Sequence, residues 1–395
     1  MEISNLTFIV TDNCNFNCTY CPQTKEKQTL SLNLIETAVD FFYPFLLIPQ
    51  KSVQKHEFET LPSENEDPGA VQGGVGRRPI LKSDGEIHIG FYGGEPLLAF
   101  EQIQHAVLLL VGKNQSGHKN IEFSVTTNGS LLTDQMLEFF NRFKFSLTLS
   151  FDGLAQETGR AKNSLAKTLR IMKRIREYPD IDFEINSVFS PLTIPLFSQS
   201  LRFMIEQGGP GITFNLSSLE LWNPEAILTL KKELQRLVDF LARYYKETGK
   251  IPVKNFQVPG HGDGGRPGIF RCSAGNEQMS LAPDGIVWGC FLFHDYFKTR
   301  ENSPQYRDYC FGSLADFIAH YETRYPEKVA NYSQLRQDLF QVEGGSGDFC
   351  FLCGEIPGCM VCPVYAAYST GSLGKISCRH CKLMKIQNKI TREPF

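Results

Sequence analysis

The chain has 395 residues, of which 42% are hydrophobic and 21% are charged, and its formal net charge is −3. This composition fits a globular protein of two ordinary domains, or of one barrel with an appendage. It argues against nucleic acid or an anionic membrane as a partner, because there is no basic surplus. No apolar run approaches the roughly 18 residues of a membrane span, and the N-terminus lacks a signal-peptide pattern. We therefore expect a cytoplasmic protein.

The first half of the chain alternates predicted strands and helices. The predicted strands cover residues 6–11, 86–93, 121–129, 144–153, 182–190 and 211–219. The predicted helices between them cover 33–46, 99–111, 133–143, 163–177 and 194–208, and Asn33 and Glu36 occupy the N-cap and capping-box positions of the first one. Strands and helices that alternate in this way build a parallel sheet, and six strands fit a partial (βα)6 barrel or a doubly wound sheet. The predicted fold class is therefore α/β.

Two polar segments rich in Gly and Pro interrupt this pattern. Residues 49–86 are predicted to be a flexible insertion, with a lid over the active site as an alternative. Residues 259–268 are predicted to be a linker, and a helix between Asn223 and Gly249 precedes them. We therefore predict a core at 1–222, a bridging helix and linker at 223–268, and a cysteine-rich domain at 269–395.

The twelve cysteines form two separate groups, because none occurs between residues 22 and 271. In a reducing compartment such groups indicate metal or cluster ligands rather than disulfides. The first group, Cys14-x3-Cys18-x2-Cys21, directly follows the first predicted strand. A zinc site needs a fourth ligand, whereas three thiolates on an iron–sulfur cubane leave one iron open for another molecule.

This loop, with Tyr20 before its last cysteine, resembles the radical S-adenosylmethionine (SAM) superfamily. The glycine–glycine–glutamate element of that family matches Gly93, Gly94 and Glu95 at the end of the next predicted strand. The resemblance implies that Cys14, Cys18 and Cys21 are the catalytic and metal-binding residues that hold a [4Fe–4S] cluster. It also implies that SAM binds the open iron, that Glu95 accepts hydrogen bonds from its methionyl amine, and that an external one-electron reductant takes part.

The resemblance implies further SAM contacts at the ends of later strands. Besides Tyr20 and the Gly93–Glu95 element, the predicted cofactor-binding residues are Thr127, Asn128, Ser150, Asp152 and Asn186. For Asn128, Asp152 and Asn186, a purely structural role in a turn or helix cap is an equal alternative, because Asn-Gly and Asp-Gly favour turns at strand ends.

The second cysteine group resembles the SPASM extension of radical SAM enzymes, which implies one or two auxiliary [4Fe–4S] clusters. By that resemblance, one cluster has the ligands Cys272, Cys290 and Cys362, and the other has Cys350, Cys353, Cys359 and Cys378. Cys310 and Cys381 exceed the family pattern. Cys310 is either a further ligand or a small buried hydrophobe, and either Cys378 or Cys381 closes the second cluster. Paired C-x2-C spacings also occur in zinc sites, so zinc remains an alternative.

Enzymes with this arrangement mostly modify peptides or proteins, so the resemblance implies a peptide or protein substrate. The favoured hypothesis is oxidative modification or cross-linking of a ribosomally made peptide. Because no room for a fused leader-binding domain precedes residue 6, we expect the insertion, the C-terminal domain or a separate leader-binding partner to recognise that peptide. Two alternatives are an anaerobic sulfatase-maturing, formylglycine-forming enzyme and a zinc-stabilised binding protein. Sulfatase-maturing enzymes carry an acidic residue directly after the equivalent of Cys290, where this chain has Phe291. His294 and Asp295, which follow, are expected at the surface.

Overall fold

The computed structural model of the chain describes residues 1–47, 86–217, 219–257, 272–338, 342–343, 353 and 361–392. The predicted linker at 259–268, nearly all of the predicted insertion at 49–86, and the candidate ligands Cys350 and Cys359 lie outside the described residues. None of the helices within these ranges is long and apolar enough to span a membrane.

Six parallel strands follow one another through space in chain order. They are β1 (Asn5–Thr11), β2 (Ile87–Gly93), β3 (Ile121–Thr127), β4 (Ser146–Ser150), β5 (Asp182–Phe189) and β6 (Ile212–Leu216). Each overlaps one of the six predicted strands. The last six residues of β1 are all buried, as expected of a parallel strand that is covered on both faces. The predicted α/β fold with six βα strands is confirmed.

Helices connect these strands and cover the sheet. They are α1 (Leu32–Phe42), α2 (Phe100–Lys113), α3 (Asp134–Arg142), α4 (Gln156–Gly159), α5 (Leu165–Ile175), α6 (Phe197–Glu206) and α7 (Pro224–Thr248). Asn223 caps α7 through its side chain, and Gly249 ends α7 with left-handed backbone, as predicted. The predicted N-cap of α1 was wrong. Ser31, not Asn33, has extended backbone and accepts the amide of Leu34.

The chain after residue 271 extends the same sheet. Strand β7 (Gln278–Leu281) pairs in parallel with the free side of β1 and forms an antiparallel hairpin with β8 (Ile286–Trp288), which pairs in turn with β9 (Cys310–Ser313). The sheet order in the described part of the chain is therefore β6-β5-β4-β3-β2-β1-β7-β8-β9. The division into domains stays a prediction.

Five helices and a small second sheet complete the described part of this region. They are α8 (Phe291–Phe297), α9 (Pro304–Tyr309), α10 (Leu314–Asp338), α11 (Pro363–Thr370), α12 (Cys378–Arg392), β10 (Val342–Glu343) and β11 (Ile376–Ser377). Strand β10 pairs in parallel with β11. Helix α8 begins directly after Cys290, which is its N-cap residue.

A row of stacked phenylalanine rings crosses the core beneath the first four strands. Phe91 stacks between Phe8 and Phe145, with ring centroids 6.1 and 6.0 Å apart, and Phe145 also stacks on Phe123 at 5.5 Å. Such pairs each contribute about 0.5–1.5 kcal/mol beyond the burial of their area. The row ties β1 to its neighbours, so the residues at the carboxyl ends of these strands have fixed relative positions.

Candidate active site

The three-cysteine loop leaves the carboxyl end of β1, the edge at which parallel α/β sheets bind their ligands. The amide of Cys21 donates to the carbonyl oxygen of Cys18 (3.2 Å), and the amide of Phe16 donates to Cys14 Sγ (3.4 Å). Burial raises the pKa of all three thiols, that of Cys21 to about 11, and Cys18 lies close enough to raise the pKa of both others. The loop therefore brings the three predicted ligands together.

Lys25, four residues after Cys21, is a contact of this loop that sequence reasoning missed. Its ammonium group donates to the carbonyl oxygen of Phe16 and to Asn17 Oδ1. It also lowers the pKa of Cys14, Cys18 and Cys21, which opposes the effect of their burial. Lys25 thus favours the thiolate form, the form that binds metals.

The end of β2 is held against the start of this loop by two main-chain hydrogen bonds. The amide of Gly94 donates to the carbonyl oxygen of Thr11 (2.9 Å), and the amide of Glu95 donates to that of Asn13 (2.8 Å). A β-carbon added at Gly93 would lie 2.2 Å from the Thr11 oxygen, and one added at Gly94 would lie 2.4 Å from the Asn13 oxygen. This close approach of two backbones is possible only with glycine at both positions.

Glu95 is a buried carboxylate beside the cysteine loop, with 1% of its surface exposed. Its Oε1 accepts from the Thr127 hydroxyl (2.6 Å) and the Leu97 amide (3.2 Å), and its Oε2 accepts from the Asn128 amide (2.8 Å). Burial raises its pKa and these bonds lower it, with a net rise. Glu95 also raises the pKa of Cys14, so the two groups are neighbours. A carboxylate offers about four acceptor sites, which leaves capacity for an ammonium group.

The remaining predicted SAM contacts lie at the ends of adjacent strands. Asn128 binds Asn15 Oδ1 through its amide nitrogen (2.9 Å) and accepts from the Ser130 amide (2.9 Å). Ser150 is the register partner of Asn186 on β5. Asn186 accepts in turn from the amide of the exposed Asn215 on β6 (2.8 Å). The structure therefore places these side chains along one edge, and Asn215 is an addition that the sequence analysis missed.

Tyr20 and Asp152 lie behind the cysteine loop and bind each other. The Tyr20 hydroxyl donates to Asp152 Oδ2, while Asp152 Oδ1 accepts from Arg160 Nη2 (2.9 Å) and from the Val188 amide (2.9 Å). Asp152 is fully buried, and the Arg160 guanidinium lies 5.4 Å from the centre of the Tyr20 ring. Both side chains thus have protein partners, which favours the structural alternative for Asp152.

Arg160 was missed in the sequence because a buried arginine has no local signature. Arg160 pairs with Asp152. Asp152 in turn binds Tyr20, which lies 132 residues earlier in the chain. Arg160 also lowers the pKa of Cys18. The cysteine loop is therefore held from behind by a buried ion pair.

Three cysteines of the second group lie close together. Burial raises the pKa of Cys290, and the neighbouring Cys362 and Cys272 raise it further. Burial likewise raises the pKa of Cys362 to about 12, with an added contribution from Cys272. The structure thus brings together the three residues that were predicted to hold one auxiliary cluster.

The other described cysteines of this group are Cys310, Cys353, Cys378 and Cys381. Cys310 begins β9, accepts from the Gly312 amide (3.3 Å) and interacts with Tyr306, whose hydroxyl lowers its pKa. Cys378 and Cys381 lie in the first turn of α12, and Cys353 is half-buried. The assignment of these thiols to a cluster stays a prediction.

His294 and Asp295 on α8 are buried, so the expectation that they lie at the surface was wrong. His294 is 2% exposed and Asp295 is 5% exposed. Asp295 Oδ2 accepts from Gln23 Nε2 (3.2 Å) and from the Tyr92 hydroxyl (3.3 Å), and burial raises its pKa to about 6. Because α8 packs beside the first cysteine loop, sequence distance from Cys290 was a poor guide to exposure.

Each of the two sites offers three neighbouring thiols, which are the donors that iron–sulfur clusters use. Within the described ranges, no three His, Cys, Asp or Glu side chains converge closely enough to hold one metal ion. The thiols of a cubane bind different irons, so they need not converge on one point. The described chain has two groups of three neighbouring thiols, and the first of them lies beside the Gly93–Glu95 element with its buried carboxylate. Both groups suit that requirement.

Comparisons with known proteins give a consistent result. No known protein-family profile matches the chain. The chain is 23% identical over 308 residues to the radical SAM cyclopropyl synthase TigE of Paramaledivibacter caminithermalis, which covers 75% of this chain and 59% of TigE. It is 26% identical over 137 residues to a cysteine-type anaerobic sulfatase-maturating enzyme of Clostridium perfringens, which covers 33% of this chain and 37% of that enzyme.

Two solved structures share the fold over most of the chain. The structure of anSMEcpe with bound AdoMet has a TM-score of 0.67 at 17% identity. That match covers 98% of this chain and 96% of the anSMEcpe chain. The structure of Streptococcus suis SuiB bound to the precursor peptide SuiA has a TM-score of 0.55 at 14% identity. That match covers 92% of this chain and 72% of the SuiB chain. The described fold is therefore the one that these two structures share.

Proposed function

We infer that this chain is a radical SAM enzyme with a SPASM-type extension, and we propose that it cleaves SAM reductively and abstracts a hydrogen atom from a peptide or protein. One observation carries the proposal. The Cys14–Cys21 loop is held against the Gly93–Glu95 turn, so that three thiols and a buried carboxylate meet at the carboxyl edge of a parallel sheet. That arrangement provides for both an iron–sulfur cluster and an amine ligand.

Each part of this site has a proposed role. When bound, a [4Fe–4S] cluster on Cys14, Cys18 and Cys21 supplies the electron that cleaves SAM to methionine and a 5′-deoxyadenosyl radical. Glu95 accepts hydrogen bonds from the ammonium group of SAM, and the two glycines let the ligand approach the backbone. Ser150, Asn186 and Asn215 are proposed contacts for the rest of SAM, because they follow along the same edge. An external one-electron reductant is required.

The second cysteine group is proposed to hold one or two auxiliary [4Fe–4S] clusters. Cys272, Cys290 and Cys362 are mutual neighbours, which supports the first of these sites. Cys350, Cys353, Cys359 and Cys378 are proposed for the second, with Cys310 and Cys381 as further candidates. Such sites suit an oxidative reaction, because an auxiliary cluster can accept an electron that the substrate radical releases.

The proposed substrate is a ribosomally made peptide, which the enzyme modifies or cross-links in the cytoplasm, with a separate leader-binding partner. The relationship to TigE over three quarters of the chain and the fold shared with peptide-bound SuiB support this substrate class. Sulfatase maturation is a second candidate, because the buried Asp295 supplies an acidic group near Cys290 although residue 291 is phenylalanine. Incubation with a cysteine-containing sulfatase peptide tests it, and formation of formylglycine would reverse the ranking.

Cleavage of SAM is the test of the radical reaction. After anaerobic reconstitution, the protein should form 5′-deoxyadenosine from SAM in the presence of dithionite, and Cys18→Ala should abolish this product because one iron of the cubane loses its ligand. The control is Lys167→Ala at an exposed position of α5, which should leave the cleavage unchanged. Quantitative chromatography of 5′-deoxyadenosine is the measurement.

Metal analysis of the same samples distinguishes the alternatives. About four irons per chain indicate the first cluster alone, and about twelve indicate three clusters. Stoichiometric zinc with iron near zero would refute the enzyme and favour a zinc-stabilised binding protein.

A further inference from the structure

Helix α8 joins the two cysteine groups directly. Its N-cap residue is Cys290, a member of the second group. Its side chains contact the chain on both sides of the first cysteine loop, at Asp12, two residues before Cys14, and at Gln23, two residues after Cys21. One short helix thus begins at one proposed cluster site and holds both ends of the other.

The contact at the start of the loop is an ionic cluster. His294 Nε2 lies 3.0 Å from Asp12 Oδ1. The ammonium group of Lys298, the residue that directly follows α8, binds Asp12 Oδ2 and lies 3.4 Å from Glu26 Oε2. The side chains of Asp12, His294 and Lys298 are 5%, 3% and 9% exposed. Since buried groups of this kind are held by geometry as well as by charge, the position of Asp12 depends on that of α8.

The contact at the end of the loop is a hydrogen-bond chain. Gln23 Nε2 donates to Asp295 and to the carbonyl oxygen of Gly93 (3.3 Å), and the Tyr92 hydroxyl donates to the same carboxylate. The Tyr92 ring also packs on Phe291, the first residue of α8, with centroids 4.0 Å apart. These hydrogen bonds link α8 both to the cysteine loop and to the Gly93–Glu95 element.

We propose that α8 is a positioning element that couples the two cysteine sites, so that an intact site at Cys290 stabilises the cluster site at Cys14–Cys21 and the reverse. The inference rests on the proposed function in taking both groups as cluster ligands. Its physical basis is linkage. If two sites share one rigid element, occupancy of either favours the geometry that the other needs, and the effect is reciprocal.

The test measures how fast the first site loses its cluster to a chelator in the reconstituted full-length protein. The readout is the electron paramagnetic resonance signal of samples reduced with dithionite, and the part of that signal that changes when SAM is added reports the first site. We expect Lys298→Met to accelerate the loss by about tenfold, the factor that corresponds to about 1.4 kcal/mol. Cys290→Ala, which disrupts the second site, should give a similar acceleration. The same substitution at an exposed lysine of α5, Lys167→Met, is the control and should change nothing.

Combination of the two changes is decisive. If α8 transmits the effect, the double variant Cys290→Ala/Lys298→Met loses its first cluster no faster than either single variant. Independent effects, with the two factors multiplied, would overturn the inference, and so would an unchanged rate in Lys298→Met. Lys298→Arg should retain the wild-type rate, and Asp12→Asn, which removes the same contact from the other side, replaces Lys298→Met if that variant does not fold. A protein without any iron contradicts the proposed function, whereas iron with multiplied effects contradicts only this coupling.

Discussion

Gly94→Ala is expected to abolish reductive cleavage of SAM. The added β-carbon would lie 2.4 Å from the Asn13 carbonyl oxygen and 2.9 Å from that of Asp12, distances at which the two backbones have to separate. The hydrogen bond from Gly94 to Thr11 and the neighbouring one from Glu95 to Asn13 would then be lost. Since Glu95 is the proposed acceptor for the SAM ammonium group, displacement of this turn removes both the ligand contact and the support of the cysteine loop.

Three measurements check this expectation: 5′-deoxyadenosine formation, iron content and SAM affinity. Gly112→Ala is the matched control, because its β-carbon would meet no atom within 4 Å and because alanine favours the helical conformation more than glycine does. The control should therefore be fully active and slightly more stable. Gly94→Ala with normal SAM affinity and cleavage would show that the close approach of the two backbones is not needed.

Arg160→Met is expected to lower the free energy of unfolding by about 3–5 kcal/mol, the usual cost of leaving a buried charge without its partner. Asp152 is fully buried and pairs with Arg160 Nε at 2.9 Å. The same variant should lose iron from the first site, because the pair supports Tyr20 between Cys18 and Cys21. Urea denaturation of the unreconstituted chain measures the first effect, and iron analysis measures the second.

Two further variants separate charge from packing in this experiment. Arg160→Met combined with Asp152→Asn should recover part of the lost stability, because no buried charge is left unpaired. Arg202→Met removes an arginine of an exposed ion pair, whose side chain is 59% exposed, and should cost at most about 1 kcal/mol. A similar small cost for Arg160→Met would contradict the importance of the buried pair.

The parts of the fold and site that could be predicted from sequence are those with short-range signals. Strand–helix alternation predicts the six strands β1 to β6, and the cysteine loop and the Gly93–Glu95 element are each contained in a few consecutive residues. Even the N-cap of α1 was misplaced by two residues, because Ser31 and Asn33 are both good caps and only the backbone geometry selects between them.

The parts that could not be predicted depend on residues far apart in the chain. Tyr20 binds Asp152, which lies 132 residues later. The buried His294 and Asp295 have their partners in Asp12, Gln23 and Tyr92. A charged residue in a sequence is expected at the surface unless a partner is known. Here the partners lie up to 286 residues away, so only the folded chain shows them.

The parallel pairing of β7 with β1 has a consequence for any attempt to study the barrel alone. β1 is an interior strand of the sheet, hydrogen-bonded to β2 on one side and to β7 on the other. A fragment that ends before residue 272 would uncover the main-chain groups along one side of this apolar strand. Unprotected edges of that kind recruit strands from other molecules, so such a fragment should aggregate, and the two halves of the chain are best expressed together.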